Sequence, residues 1–296
     1  MNIQLFKSNT PVMIQGITGK EGSRMTRWLK ASGVNIVAGV SPGHIGETVE
    51  GCTVFETVAD LKAQFPDVAV SSIVVPAKFA LGAVREAILG GITFVHLITE
   101  KVPVHDVLAM RELAESKGAS VLGPSSVGYL QFPAFRLGYL GGESPFTVLK
   151  EGNTAVISTS GGMTNELMMS LSAHGIGVKI ALALGGDRVT GMTLEETIHW
   201  CEALDEVKLI TVFIEPGRPL LRSLVNGEFT FKKPAVLFLA GEALDDMPRG
   251  LPYGHTGTVL GEDDPTVKET RGLLKKRGLA CSATMSEFIT ACKTYV

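Results

Sequence analysis

Cysteine is scarce and scattered in this chain. The four in 296 residues, Cys52, Cys201, Cys281 and Cys292, form no Cys-x-x-Cys pair and stand in no spacing with histidine that would build a zinc site. A disulfide framework and a metal site are therefore not expected, and free thiols in a reducing cytoplasm are. No run approaches the roughly 20 consecutive apolar residues of a bilayer span, and the opening Met1-Asn-Ile-Gln-Leu-Phe-Lys7 has no apolar signal core. Nor is there an excess of one charge: 27 Lys and Arg against 30 Asp and Glu leave −3, which argues against a nucleic acid or an anionic membrane as partner. Apolar side chains are plentiful. At 45% hydrophobic and 19% charged, the chain has enough to bury a core and too few charges to stay disordered. Its length predicts two domains of ordinary size.

Apolar runs of strand length alternate with longer segments of helical period. Pro11–Gln15, Val34–Val40, Val68–Val75, Ile92–Ile98 and Ala119–Leu122 read as strands. Ser23–Ser32, Phe79–Leu89 and Asp106–Lys117, with apolar residues three and four apart, read as helices. After a polar stretch with Gly and Pro, Gly123 to Gly152, the alternation resumes. Thr154–Ser158, Val178–Leu184, Val207–Ile214 and Pro234–Ala240 read as strands. Gly161–His174, Leu194–Leu204, Pro265–Arg277 and Ser286–Thr294 read as helices. Repeated β-α-β order predicts an α/β fold with parallel sheets covered by helices on both faces. The expected boundary lies near Gly123–Val127, giving domains of residues 1–124 and 125–296.

The turn Gly16-Ile-Thr18-Gly19-Lys20-Glu21-Gly22 follows the first strand and opens the first helix. There an α/β fold turns backbone N–H groups and a helix dipole toward a phosphate. A dinucleotide site also wants an acid about 20 residues on, at the end of the second strand, for a ribose hydroxyl. Here that strand ends Val37-Ala-Gly-Val40-Ser41-Pro42-Gly43-His44, with no carboxylate. NAD, and with it a dehydrogenase, is disfavoured. A nucleotide holding its phosphates in another pose remains open, as does a turn that merely packs helix on sheet. Val75-Pro76-Ala-Lys78-Phe79 and Ile98-Thr99-Glu100-Lys-Val-Pro103 follow two further strands. Three polar turns thus share the sheet edge at which open parallel sheets bind ligands.

In the second half, Ile157-Ser158-Thr-Ser160-Gly161-Gly162-Met-Thr-Asn165-Glu166 joins a strand to a helix. Small hydroxyls and glycines at a helix start make a nest of donors for a phosphate or carboxylate, though they also serve as an ordinary N-cap. Gly254-His255-Thr-Gly257 places a histidine between glycines in a long loop, with room to swing. Its imidazole has the chemistry to attack phosphorus, and Glu215, at a strand end, has the chemistry to orient it through a ring N–H. A loop histidine with no task is the alternative.

Taken in order, these segments resemble the α subunit of succinyl-CoA synthetase and the matching half of ATP-citrate lyase and citryl-CoA synthetase, the NDP-forming acyl-CoA synthetases. The resemblance runs through Gln15-Gly-Ile-Thr-Gly19, Gly39-Val-Ser-Pro-Gly43, Val75-Pro-Ala, Ile98-Thr-Glu100, Gly123-Pro124, Ser158-Thr-Ser-Gly161, Gly185-Gly-Asp187 and Gly254-His255-Thr-Gly257. It implies a Rossmann-like first domain that holds coenzyme A and a flavodoxin-like second domain that carries a phosphohistidine. The coenzyme A residues implied are Gly16, Thr18, Gly19, Lys20, Glu21, Ser41, Pro42, His44, Val75, Pro76, Ile98, Thr99 and Glu100. His255 with Glu215 would be catalytic, and Ser158, Ser160, Gly161, Gly162 and Asn165 would meet phosphate or substrate.

The resemblance further implies an ATP-grasp β subunit, as αβ or α2β2, holding ATP or GTP with Mg²⁺, because this chain shows no machinery for them. The substrate would be a di- or tricarboxylate, succinate in the first instance, with citrate or malate as alternatives. The chain also departs from the family's pattern. His44 replaces the usual lysine of the second glycine turn, Thr159 an arginine, Asn165 the tyrosine of succinate-type members, and Pro216 alters the segment after Glu215. These changes motivate a different reading, a CoA-binding regulatory module without turnover.

Overall fold

The computed structural model describes residues 5–133 and 135–295. Packing divides the chain into two units: one runs to Val148 and includes Val189–Met192, and the other comprises Leu149–Arg188 and continues from Thr193.

The first unit alternates β1 (Val12–Gln15), α1 (Lys20–Ala31), β2 (Ile36–Val40), β3 (Thr48–Val49), β4 (Cys52–Phe55), α2 (Val58–Gln64), β5 (Val70–Ile73), α3 (Ala77–Leu89), β6 (Phe94–Leu97), α4 (Val104–Lys117) and β7 (Ser120–Leu122). A hairpin, β8 (Gly128–Gln131) with β9 (Phe135–Gly138), and a short α5 (Pro145–Val148) complete it. The sheet order is β3-β4-β2-β1-β5-β6-β7, parallel throughout except for the β3–β4 pair. Its strands are short and almost wholly buried, as expected of a sheet covered on both faces. Because β1 lies between β2 and β5, the connections leave it in opposite directions, and a crevice opens beyond its C-terminal end.

The second unit alternates β10 (Glu151–Ser158), α6 (Gly161–Ala173), β11 (Val178–Ala183), α7 (Leu194–Ala203), β12 (Leu209–Ile214), α8 (Pro219–Asn226), β13 (Ala235–Leu239), α9 (Val267–Lys276), β14 (Ala280–Ser282) and α10 (Met285–Cys292). Within the unit the parallel strands run β14-β13-β12-β10-β11. The switch point therefore falls between β10 and β12. Every residue of β12 (Leu-Ile-Thr-Val-Phe-Ile) and of β13 (Ala-Val-Leu-Phe-Leu) is buried. Helix starts are fixed by hydroxyls: Thr193 and Thr266 each complete a reciprocal capping box, with Glu196 and Glu269.

The expected α/β class matches both units, and the domain division differs. The stretch read as a polar connection contains the β8–β9 hairpin, and it packs with the first unit. The Phe6 ring lies 5.5 Å from Tyr129, 4.6 Å from Phe135 and 5.2 Å from Phe94, centroid to centroid. The Gln131 amide bonds the Phe6 carbonyl and N–H at 2.7 and 2.9 Å. Arg136, fully buried, donates to the carbonyls of Trp28 (2.9 Å), Leu140 (3.2 Å) and Gly142. The packing boundary accordingly falls after Val148 and not near residue 124. The strands β3, β4 and β14 and the helices α2 and α8 are also absent from the sequence reading. Each is too short, or too closely bracketed by Gly and Pro, to show a period.

All four cysteines are unpaired and buried. Burial pushes the Cys281 thiol up to about 11, that of Cys292 to about 12, and Cys201 higher still. Among the described residues no helix is long and apolar enough to cross a membrane.

His96, in β6, has no exposed surface. Its Nε2 lies 3.0 Å from the Ser126 carbonyl, which only accepts, so Nε2 carries the proton and Nδ1 accepts from the Ser72 hydroxyl at 2.7 Å. Burial pushes its pKa down to about 4. Unfolding lets this ring bind a proton that the fold excludes. Its contribution to stability is thus complete above pH 6.5 and is lost as pH falls toward 4, by about 3 kcal/mol. Urea titrations should show this loss between pH 7.5 and 4.5 in the native chain and a correspondingly shallower pH dependence in His96→Gln; equal slopes would contradict it.

Candidate functional site

Each switch point carries a cluster of polar residues. In the first unit, Gly16 follows β1 with φ +80°, and a Cβ there would fall 2.2 Å from the Val74 carbonyl oxygen. Only glycine lets this turn run so close to the end of β5. Helix α1 starts after Gly19 without any side-chain cap, which leaves its first amides available to a ligand. Thr18 and Ser41, in the turns after β1 and β2, meet hydroxyl to hydroxyl at 2.6 Å. A cleft of about 600 Å³ lies here.

Of the residues implied for coenzyme A, Gly16, Thr18, Gly19, Ser41, Pro42, Val75 and Pro76 line the cleft. Lys20, Glu21, His44, Ile98, Thr99 and Glu100 are not among the lining residues. Glu21 instead pairs with Arg24 and accepts a bond from the Tyr139 hydroxyl. His44 pairs through Nδ1 with Glu47 at 2.9 Å, on the surface. Thr99 is buried and donates to the Val75 carbonyl at 2.7 Å, bracing a turn that does line the cleft. The lining also includes Gln15, Lys78, Phe79 and Glu86, which sequence spacing does not mark as ligand residues. Lys78 and Phe79 stand in a motif already noted, two and three residues after Pro76.

In the second unit, Glu215 directly follows β12 and Thr159 directly follows β10, and the two strands are neighbours. The Thr159 hydroxyl donates to Glu215 Oε2 at 3.3 Å. Both carboxylate oxygens lie against His255 Nδ1, at 2.9 and 2.8 Å. A carboxylate accepts, so Nδ1 carries a proton, and in the neutral ring Nε2 keeps its lone pair. The carboxylate is largely buried, whereas the imidazole is 40% exposed.

The sequence reading left His255 room to swing; the structure adds contacts on its loop and ring. Its loop is closed by the Pro252–Val259 bridge, by the Tyr253 N–H on the Thr258 carbonyl (3.1 Å) and by the Thr258 N–H on that of His255 (2.9 Å). The ring also rests on Gly186, where a Cβ would sit 2.4 Å from His255 Cγ. The Gly257 N–H donates to the Gly186 carbonyl at 3.2 Å, and the Thr256 hydroxyl to Asp187 at 3.2 Å.

Arg218 organises this floor, and sequence reasoning missed it. Almost fully buried, it donates to the carbonyls of Asp187 (2.7 Å) and Gly186 (3.0 Å) and stands 3.6 Å from Glu215 Oε2. Burial holds its pKa below the usual arginine value, and the Glu215 carboxylate offsets only part of that shift. The one available signal was its place three residues beyond Glu215 in the same strand-end turn.

The serines behave as caps. Ser160 accepts the Met163 amide at 3.4 Å, and the Ser158 hydroxyl accepts the Ser160 amide at 2.9 Å. The amides of Gly161 and Gly162, in the first turn of α6, are the donors that a helix start leaves without an intrahelical acceptor. Asn165 lies in the next positions of that helix and is half-buried.

The first unit thus presents a glycine cradle at its sheet edge, and the second a carboxylate-bound imidazole. Residues 7–101 match the CoA binding domain family and residues 157–224 the CoA-ligase family, which makes the class a CoA ligase. The α subunit of ADP-forming succinate–CoA ligase from Staphylococcus aureus is 32% identical over 280 residues, 94% of this chain and 90% of its own length. Subunit alpha 1 of the Archaeoglobus fulgidus enzyme is 32% identical over 286 residues, 96% of this chain and 95% of its own. The chain belongs to the succinate–CoA ligase α-subunit family. The fold matches ATP citrate lyase from Methanothrix soehngenii, solved with citrate and coenzyme A, at a TM-score of 0.87 and 22% identity. That match covers 99% of this chain, which spans 50% of the lyase polypeptide.

Gly186→Ala is expected to push the imidazole off its seat and lower ligase turnover about 100-fold, since roughly an ångström of misplacement costs that much. Circular dichroism should be unchanged; wild-type turnover in this variant would show that the seat does not matter.

Proposed function

We propose that the chain is the α subunit of an NDP-forming carboxylate–CoA ligase that works through a phosphohistidine at His255. The observation that carries this reading is the pairing of His255 Nδ1 with Glu215, which fixes the ring tautomer that leaves Nε2 as nucleophile. The partner in this reading is an ATP-grasp β subunit, as αβ or α2β2, that supplies ATP or GTP with Mg²⁺, and the compartment is the cytoplasm.

In this scheme the Nε2 lone pair forms an N–P bond to the γ-phosphorus while the P–O bond to the departing NDP breaks. Glu215 holds the ring N–H and stabilises the positive charge that develops on the imidazole. Arg218, 3.6 Å from the same carboxylate, adds a second positive charge beside it. The substrate carboxylate then takes the phosphoryl group and His255 is regenerated neutral. A carboxylate is a poor electrophile, and the acyl phosphate has a good leaving group. Coenzyme A enters as the substrate whose thiol displaces phosphate, giving the thioester. The amides of Gly161 and Gly162 at the start of α6, with Ser158, Ser160 and Asn165 around them, suit the phosphoryl group or the acid.

Coenzyme A fits the cleft of the first unit by its chemistry. Uncapped amides at α1 and a backbone that only glycine allows at position 16 suit phosphate oxygens. The relatives that are α subunits of succinate–CoA ligase support succinate as the acid. Asn165 supports a second reading: the family's succinate-type members carry a tyrosine there, and a shorter side chain leaves room for citrate or malate.

Incubating the αβ complex with ATP labelled in its γ-phosphate should give an acid-labile, alkali-stable label. It should disappear in His255→Ala and fall on the order of 100-fold in Glu215→Gln. An acid panel of succinate, citrate and malate then identifies the substrate. A complex that binds coenzyme A but neither labels nor turns over any acid would be the regulatory module instead.

A further inference from the structure

The cleft of the first unit is lined by a single cationic side chain among the described residues, Lys78. Its Nζ lies 4.8 Å over the ring centroid of Phe79, which is 55% exposed. The ring face thus holds the ammonium at the cleft. Lys78 stands in the first turn of α3, a 13-residue helix with no side-chain cap and no acidic residue in that turn. A cation there opposes the helix dipole. The arrangement becomes favourable when an anion sits between the two, drawn by the ammonium and by the first amides of the helix.

No other group of the cleft competes for that role. Glu86, the one carboxylate in the lining, already accepts from the Val58 N–H at 2.8 Å and the Gln15 amide at 3.4 Å. His44, in the turn where the family resemblance leads one to look for a cation, is bound to Glu47 and is not among the lining residues.

We infer that Lys78 is the phosphate-binding cation of this cleft and meets a phosphate of coenzyme A, seated by the Phe79 ring. The inference rests on the coenzyme A reading of the first unit. It deepens that reading by naming the residue on which recognition of the ligand's charge depends. The two chemical sources of that charge are the 3′-phosphate and the diphosphate bridge.

Calorimetric titration of the full chain with coenzyme A and with 3′-dephospho-coenzyme A tests it. Lys78→Gln should weaken coenzyme A binding by roughly 10-fold, as expected for loss of a charge-assisted hydrogen bond at an exposed site. Lys78→Arg, which keeps the charge, should restore most of the affinity. A loss confined to coenzyme A assigns the contact to the 3′-phosphate, and an equal loss for both ligands assigns it to the diphosphate. Unchanged binding in Lys78→Gln, or a loss that Lys78→Arg does not repair, overturns the inference while leaving the coenzyme A reading intact. Failure of the native chain to bind either ligand would overturn that reading, and the inference with it.

Discussion

The carboxylate of Glu215 is the hinge of the second unit. It is largely buried, and taking a carboxylate out of water costs free energy unless partners compensate it. Three groups converge on it from separate parts of the chain: the His255 ring N–H, the Thr159 hydroxyl and the Arg218 guanidinium. Pairs of this kind add little net stability, yet removing one partner costs about 3–5 kcal/mol, because it strands a charge away from water. The same economy fixes the geometry. Arg218 spends its terminal nitrogens on the carbonyls of Gly186 and Asp187, and the resulting turn makes the floor on which the imidazole lies. Ring orientation, ring tautomer and loop position are therefore consequences of one compensated charge.

Both units use the same topological device. In each, the first strand lies between strands that leave it in opposite directions, so the loops at its C-terminal end part and expose backbone donors. In the first unit the parted loops are the glycine turn after β1 and the Val75–Pro76 turn after β5, and they flank a cleft. In the second they are the Thr159–Ser160 turn after β10 and the Glu215 turn after β12, and they build a charged cluster. The difference lies in what fills the turns. Small residues in the first leave space, and charged side chains in the second fill it.

Much of this was legible in the sequence. Buried parallel strands are continuous apolar runs, and β1, β2, β5, β6 and β10 to β13 stand out for that reason. The glycine turn, the Ser-Gly helix start and the histidine between glycines are local patterns and were equally readable. What escaped is whatever depends on distant pairing. The strands β8 and β9 are buried, and their Gly and Pro neighbours disguise them as a connection. Arg218 carries no local mark, because its importance comes from Gly186 and Asp187, some thirty residues earlier in the chain. Thr159 stands next to Glu215 only because β12 crosses to the far side of β10. Lys78 likewise gains meaning from a cleft that no spacing rule draws.

The burial of all four sulfurs has a consequence for a protein that handles a thiol. Exchange with a disulfide needs a thiolate in reach of it. Here each sulfur is both enclosed and held protonated far above neutrality where burial is deepest, and none lines the cleft. Oxidised forms of the substrate therefore find nothing on this chain to couple with, and the fold is kept clear of mixed disulfides by solvent exclusion alone.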